Sequence, residues 1–353
     1  MSAKIPATTR SYYLPTRGSY TNLVLRTVPL PHPKTTEVLV KIHAVSLQYR
    51  DLMVAMDRYP TPDLKDELVP CSDMAGEVVA VGADVKRWKV GDRVCASPTT
   101  DFLDGDVDAD TMRMMLGGQQ HGVLTEYRAF PDHCLVGIAE HLSYEEASTI
   151  PCAAVTAYNA LMGPRPVKAG DTVLILGTGG ISIFGLQFAV ASGATVIVTS
   201  SSDTKLEIAK NLGATHTINY STMPDWDKEV LRLTGGRGVD HVLEVGGPGT
   251  LLKSISAVRY AGYVHLIGFM SHNTGGPAVA NVIGMCITKG ITLRGILGGS
   301  VVQQEAIVRL LCARPESTRP VVDKVFAFKE AVDAYAYLET QKHVGKVVIR
   351  VEK

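Results

Sequence analysis

The chain has 353 residues, enough for two domains each with its own core, and its 35 Lys+Arg balance 35 Asp+Glu for a formal net charge of zero. It carries neither a basic stripe nor a block of like charges, which counts against a nucleic acid or an anionic membrane as the main partner. The leading residues MSAKIPATTRSYYLP lack the apolar stretch of a secretory signal, and no run reaches the roughly 18 apolar residues of a spanning helix. Cysteines 71, 95, 134, 152, 286 and 312 form no C-x-x-C pair, so the expectation is a soluble, cytoplasmic protein with reduced thiols and no closed structural zinc site.

Up to about residue 150 the pattern is β-rich. EVLVKIHAVSL (37–47) and AGEVVAVG (75–82) alternate or run apolar over strand lengths, separated by turn signals such as PLPHPKT and VGDRV. The acidic, then Met-rich segment 99–120 reads as a long surface excursion. From about 151 the rhythm changes. Short apolar strands at 172–177, 195–200, 241–246, 263–268 and 291–296 are spaced by helical segments such as 181–192 and 203–212, the signature of βαβ units and a doubly wound parallel sheet. The tail FKEAVDAYAYLETQKHVGKVVIRVEK offers one helix and one strand that can return to the first domain.

The turn in TVLILGTGGISIFGLQ (172–187) lies between a strand and a helix, and a second strand completes the βαβ unit. Gly177 permits the sharp turn and Gly179 a close backbone approach to a pyrophosphate. The helix opening at Gly180 and Ile181 then aims its free N–H groups, with those of Thr178 and Gly179, at the phosphate. Ser182 holds the third fingerprint position, small enough for close packing.

The second strand's end selects the dinucleotide. An NAD site places Asp or Glu there to bind the ribose 2′-OH. This chain has Ser200, Ser201 and Ser202, with Lys205 one turn later, a set suited to a 2′-phosphate dianion, so NADPH is the expected cofactor. A serine-rich helix cap is the alternative role of the same residues, and the two are compatible.

On AGEVVAVGADVKRWKVGDRV (75–94), LSYEEASTIPCAAVTAYNAL (142–161), the glycine turn with its continuation to residue 220, LTGGRGVDHVLEVGG (233–247) and GKVVIRV (345–351), the chain resembles the medium-chain dehydrogenase/reductases over nearly its whole length. The resemblance implies an α/β protein: a GroES-like β-rich catalytic domain at 1–150 completed by 317–353, around a Rossmann domain at 151–316, with an active site in the cleft between them. It also implies a homodimer through the edge strand near 291–297. Cofactor contacts in relatives fall on Thr156, Lys205, Tyr220, Gly246, Gly268, Phe269 and Leu297.

Laid against the zinc-dependent relatives, the first Cys ligand falls on Gln48 and the His of G-H-E on Ser72, and only Cys152 is retained. An amide and a hydroxyl bind Zn²⁺ too weakly to replace thiolate and imidazole. The chain therefore resembles the zinc-independent branch, alongside quinone oxidoreductases and enoyl reductases. Without a Lewis acid, direct carbonyl reduction is disfavoured, whereas hydride addition to an activated C=C or quinone needs only donors for the resulting enolate. Tyr59 falls where enoyl reductases suggest a catalytic tyrosine, and Tyr49 and Gln48 adjoin the lost ligand position as polarising donors. Asp51 and Asp73 read as structural hydrogen-bond partners, and His121 as a surface residue. The substrate class is a small molecule. The competing functions are a zinc-free alcohol or carbonyl dehydrogenase and a non-catalytic dinucleotide-binding protein.

Overall fold

The computed structural model describes residues 5–61, 63–268 and 279–351. The chain divides into two compact units: Met1–Val155 with Gly299–Pro315 and Arg319–Lys353, and Thr156–Gly298 with Glu316–Thr318.

In the first unit, β1 (Thr8–Tyr13) and β2 (Val24–Pro29) form an antiparallel pair. The strands β3 (Glu37–Ser46), β4 (Asp73–Val81), β5 (Arg93–Ala96), β6 (Tyr127–Pro131) and β7 (Leu135–Gly137) follow, with the short helices α1 (Tyr49–Ala55), α2 (Ala109–Met112) and α3 (Tyr144–Ala147). β3 is the organising strand. Val38, Leu39, Val40, Ile42, Ala44 and Val45 are all buried, because the strand is covered on both faces.

The second unit runs α4 (Val155–Leu161), β8 (Thr172–Leu176), α5 (Gly180–Ala191), β9 (Thr195–Ser200), α6 (Asp203–Asn211), β10 (His216–Asn219), α7 (Trp226–Leu233), β11 (Val239–Glu244), α8 (Leu251–Ala257), β12 (Val258–Leu266), α9 (Val279–Lys289) and β13 (Thr292–Gly295). Its strands pair in the order β10-β9-β8-β11-β12-β13, all parallel. The order reverses between β8 and β11, the crevice where open α/β sheets bind ligands at the strands' carboxyl ends. Close packing of α5 on the sheet is achieved at Gly185, where a Cβ would come within 2.4 Å of Leu243 Cδ2.

The chain then returns to the first unit through α10 (Val301–Ala313), β14 (Val322–Ala327), α11 (Ala331–Glu339) and β15 (Lys346–Arg350). β15 pairs antiparallel with β3 and parallel with β14, giving a seven-stranded sheet of order β14-β15-β3-β4-β5-β7 in which β6 also pairs with β3. Tyr335 on α11 is fully buried in the core of this unit.

Three details differ from the sequence reading. The segment 99–120 is more than a surface excursion: Leu116 is buried in the core, and Phe102 O and Leu103 O accept the Val301 and Val302 N–H groups at 3.0 and 3.1 Å. Those bonds and an Arg87–Glu305 ion pair hold α10 within the first unit, although the division at 151–316 assigned it to the parallel-sheet domain. β10, His-Thr-Ile-Asn, is an added edge strand whose polar residues hid its strand character.

Candidate active site

In the first unit, the end of β3 delivers the chain to α1 with Gln48 in extended backbone at the N-cap, its N–H donating to Asp51 Oδ2 at 2.8 Å. The opposite wall is the start of β4. Cys71 adopts a left-handed φ of 69°, a conformation that costs a non-glycine residue about 1 kcal/mol. Backbone crowding explains it, since Gly117 and Gly122 press on the Cys71 peptide so closely that a Cβ at Gly122 would lie 2.0 Å from Cys71 O. This sharp entry turns Ser72 and Asp73 inward, where both are buried.

Asp73 is a hub. Its Oδ2 accepts from Gln48 Nε2 at 2.5 Å and from the Cys152 N–H at 2.9 Å, and its Oδ1 accepts from Ser72 Oγ at 2.6 Å. Burial raises its carboxyl, opposed by the field of Lys346 and by these hydrogen bonds. Lys346, buried at the start of β15, donates from Nζ to Leu47 O at 2.5 Å; burial lowers its ammonium, and Asp73 supports it. Asp51 is also buried, and desolvation, opposed chiefly by Arg50, pushes its carboxyl up to about 6.

The two tyrosines occupy different surroundings. Tyr49 packs against the core, and burial raises its phenol, which makes it a poorer acid. Tyr59 is half-buried, with its ring 5.5 Å from the Arg50 guanidinium. His121 accepts the Val69 N–H on Nδ1 at 3.1 Å and packs edge-on to Tyr13, and burial lowers its imidazolium. It is a neutral structural acceptor.

This donor set does not fit zinc. The Gln48 amide nitrogen and the Ser72 hydroxyl are directed at Asp73, and an amide and a hydroxyl bind Zn²⁺ far more weakly than the thiolate and imidazole of a zinc site. Among the described residues no group of three or more His, Cys, Asp or Glu is arranged to hold a metal.

The second unit carries the glycine turn. Gly177 has φ 71°, and Gly179 is the N-cap of α5, with no side chain capping the helix and nothing within 4 Å of where a Cβ would stand. No side chain therefore caps the first amides of α5, around Gly180 and Ile181, which suits a pyrophosphate, and Thr178 is buried beside them. Ser182 Oγ donates to Leu176 O at 2.7 Å, so the third fingerprint position stays small and satisfies its hydroxyl on the end of β8.

At the end of β9, Ser200 is buried and Ser201 exposed. Ser202 caps α6, its Oγ accepting the Lys205 N–H at 3.5 Å, and its own N–H reaches Ser200 Oγ at 3.4 Å. β9–β10 pairing sets Ser200 against Asn219, and Tyr220, exposed, follows immediately. Ser201, Lys205 and Tyr220 thus surround one corner of the sheet. Gly246 is less available than the resemblance implied: its N–H, like that of Gly247, donates to the buried Glu244, at 2.8 and 2.9 Å. Gly268 donates to Glu244 O, Thr156 is buried, Leu297 is exposed, and Phe269 lies outside the described residues. Asp73 is the structural hydrogen-bond partner that the sequence reading made it, but the reading did not find the three donors that converge on it or the buried Lys346 that supports it.

The alcohol dehydrogenase GroES-like domain family matches residues 34–140, and the zinc-binding dehydrogenase family matches 180–312. A zinc-type alcohol dehydrogenase-like protein of Schizosaccharomyces pombe is 46% identical over 318 residues, 90% of this chain and 91% of that one. A 2-methylene-furan-3-one reductase of Solanum lycopersicum is 29% identical over 358 residues, 99% of this chain and 80% of that one. The crystal structure of a putative alcohol dehydrogenase from Sinorhizobium meliloti 1021 superposes with a TM-score of 0.90 at 38% identity, covering 99% of this chain and 100% of that one. The chain belongs to the medium-chain dehydrogenase/reductase superfamily of nicotinamide-dinucleotide oxidoreductases, with a GroES-like domain and a Rossmann domain.

Proposed function

We propose that this protein is an NADPH-dependent reductase of activated C=C bonds or quinones that works without zinc. The observation that carries the reading is the Asp73 hub: the side chains at two of the three metal-ligand positions, Gln48 and Ser72, are hydrogen-bonded to a buried carboxylate. The tomato relative, by its name a reductase of a methylene-furanone, supports an activated alkene as the acceptor class. A carbonyl reduced directly would need a Lewis acid, whereas a conjugated acceptor spreads its developing charge over an enolate that protein donors can stabilise.

NADPH, when bound, supplies the hydride. The uncapped α5 amides suit its pyrophosphate, and Ser201, Lys205 and Tyr220 suit its 2′-phosphate, with no Asp or Glu at the end of β9 to repel it. The first unit acts as the catalytic half and the second as the cofactor half. Gln48, held by Asp73, orients the acceptor. Tyr59, half-buried beside the Arg50 guanidinium, is the proton-donating phenol, and burial makes the Tyr49 phenol a poorer acid. A homodimer through β13 is part of the reading, supported by its place at the edge of the parallel sheet and by the exposed Ile283 and Ile287 on α9. All six cysteines are unpaired, which suits a reducing cytoplasm.

The test is NADPH consumption with a cyclic enone, a benzoquinone and a simple ketone in parallel. Turnover of the enone or quinone with little on the ketone supports the reading. Turnover of the ketone alone points to a zinc-free carbonyl dehydrogenase, and saturable NADPH binding with no turnover points to a non-catalytic protein.

A further inference from the structure

Glu244 closes β11 as a carboxylate with no exposed surface, and the proposed reaction gives it no task. Its hydrogen bonds all run to one neighbourhood. Oε1 accepts the Gly246 and Gly247 N–H groups at 2.8 and 2.9 Å and the Thr250 hydroxyl at 2.6 Å, and Oε2 accepts the Ser254 hydroxyl. The backbone oxygen of the same residue takes the Ile267 and Gly268 N–H groups, at 2.9 and 3.2 Å. One residue thus joins the turn after β11, the start of α8 and the chain leaving β12. Burying a charge is costly, and charge-assisted hydrogen bonds to two successive amides fix a turn far more firmly than hydration would.

The place of that turn in the sheet gives Glu244 its task. β11 lies beside β8 with Val242 opposite Leu174 and Leu243 opposite Ile175, so Glu244 stands level with Leu176 and the turn begins beside Gly177. On its other side Glu244 pairs with Leu266, the last residue of β12. In the order β10-β9-β8-β11-β12-β13, the corner suited to a 2′-phosphate is at β9 and β10, and the amides suited to a pyrophosphate follow β8. A dinucleotide laid through those two points along the carboxyl edge of the sheet carries its nicotinamide riboside onward, over the ends of β11 and β12. A trans peptide sets C=O opposite N–H, so drawing the Gly246 and Gly247 N–H groups onto Glu244 turns the Val245 and Gly246 oxygens away from it. Glycine at 268 leaves room for the first of these, since a Cβ there would lie 2.3 Å from Val245 O.

We propose that Glu244 is a positioning residue for the cofactor: it holds the turn after β11 with its amides inward, so that this wall meets the nicotinamide riboside with carbonyl acceptors. The inference rests on the NADPH reading above. The hydroxyl and carboxamide N–H groups of that half are donors, which such a wall can receive. Amides left outward here would instead attract the phosphates, whose place is one strand away.

Two ligands separate the halves of the cofactor: NADPH, and 2′,5′-ADP, which carries the adenine and the 2′-phosphate but no nicotinamide. Their affinities are measured by calorimetry for the parent, Glu244→Gln and Glu244→Ala. E244A is expected to bind NADPH at least about tenfold more weakly, with 2′,5′-ADP affinity unchanged. E244Q keeps an acceptor for the turn amides, so it is expected to stay within about threefold of the parent on both ligands. Equal losses on the two ligands in E244A overturn the proposal, because they mark a general disturbance of the sheet, and so does unchanged NADPH affinity. E244Q falling as far as E244A also overturns it, since an acceptor would then not be what the turn needs. A parent that binds NADH but not 2′,5′-ADP removes the NADPH reading alone, and NADH against AMP then decides the role of Glu244 by the same ratio. If E244A does not melt cooperatively, Glu244→Asp decides, because its shorter side chain retracts the carboxylate from the two amides. NADPH weakened at least about threefold relative to 2′,5′-ADP is then expected, and an unchanged ratio overturns the proposal.

Discussion

Gln48 Nε2 donates to Asp73 Oδ2 at 2.5 Å, joining the loop that precedes α1 to the first residue of β4. With the Ser72 hydroxyl and the Cys152 N–H on the same carboxylate, three chain segments meet at one side chain that has no access to water. In zinc-dependent relatives a metal joins the corresponding positions. Here a hydrogen-bonded anion does, balanced by the buried Lys346.

Removing the hub therefore strands several donors at once. Asp73→Ala is expected to lower stability by about 3 kcal/mol or more, because buried donors are left without an acceptor. Denaturant unfolding of the two proteins measures it. A loss within error of zero would mean that water replaces the carboxylate without penalty.

Tyr59 and Tyr49 are separable by removing one hydroxyl at a time. Tyr59→Phe is expected to lower kcat at least about tenfold with NADPH affinity unchanged, and Tyr49→Phe to change kcat far less. Stopped-flow and steady-state assays on one enone give both values, and the reverse ranking would exchange the roles.

The glycine turn and the alternation of strands and helices are legible in the sequence, because parallel central strands are continuous apolar runs and the turn demands glycine at a left-handed position. The residues that stand where zinc-dependent relatives bind their metal were read from the resemblance, but their hydrogen-bond partners were not. Gln48 and Asp73 are 25 residues apart, Asp73 and Cys152 79, and Lys346 reaches Leu47 across 299. No periodicity reports such contacts. The polar edge strand β10 escaped notice because, with little apolar surface to bury, its pattern resembles a loop.

Cofactor choice is testable at the end of β9. Ser200→Asp is expected to shift the NADPH:NADH ratio of kcat/KM toward NADH by at least about tenfold, since a carboxylate there accepts from a 2′-OH and repels a 2′-phosphate. The register places Ser200 beside Asn219 and hence near Tyr220. Unchanged NADPH selectivity would contradict the assignment of this corner to the 2′-phosphate.

A buried carboxyl and a buried histidine pair give opposite pH signatures. Asp51 has its carboxyl raised to about 6 by desolvation, so the folded state holds a proton that the unfolded chain releases, and stability falls as pH rises from about 4 to about 6, by roughly 3 kcal/mol in all. Asp51→Asn, which keeps an oxygen for the Gln48 N–H, should flatten that slope. In the parallel sheet, His241 Nδ1 and His265 Nε2 lie 3.1 Å apart, and burial lowers both, His265 to about 3. Here the unfolded chain binds the extra protons, so stability is lost as pH falls below about 6.5. Replacing both histidines with phenylalanine should remove that acid sensitivity. Urea unfolding across the pH range resolves the two slopes.

We propose that hydride transfer proceeds here in a site organised by Asp73 rather than by a metal. The direct measurement is metal content by mass spectrometry together with NADPH-dependent enone reduction, before and after exhaustive chelation of the purified protein. The expected result is far less than one zinc per chain and an undiminished rate after chelation. One tightly held zinc per chain, whose removal abolishes turnover and whose return restores it, would contradict the account.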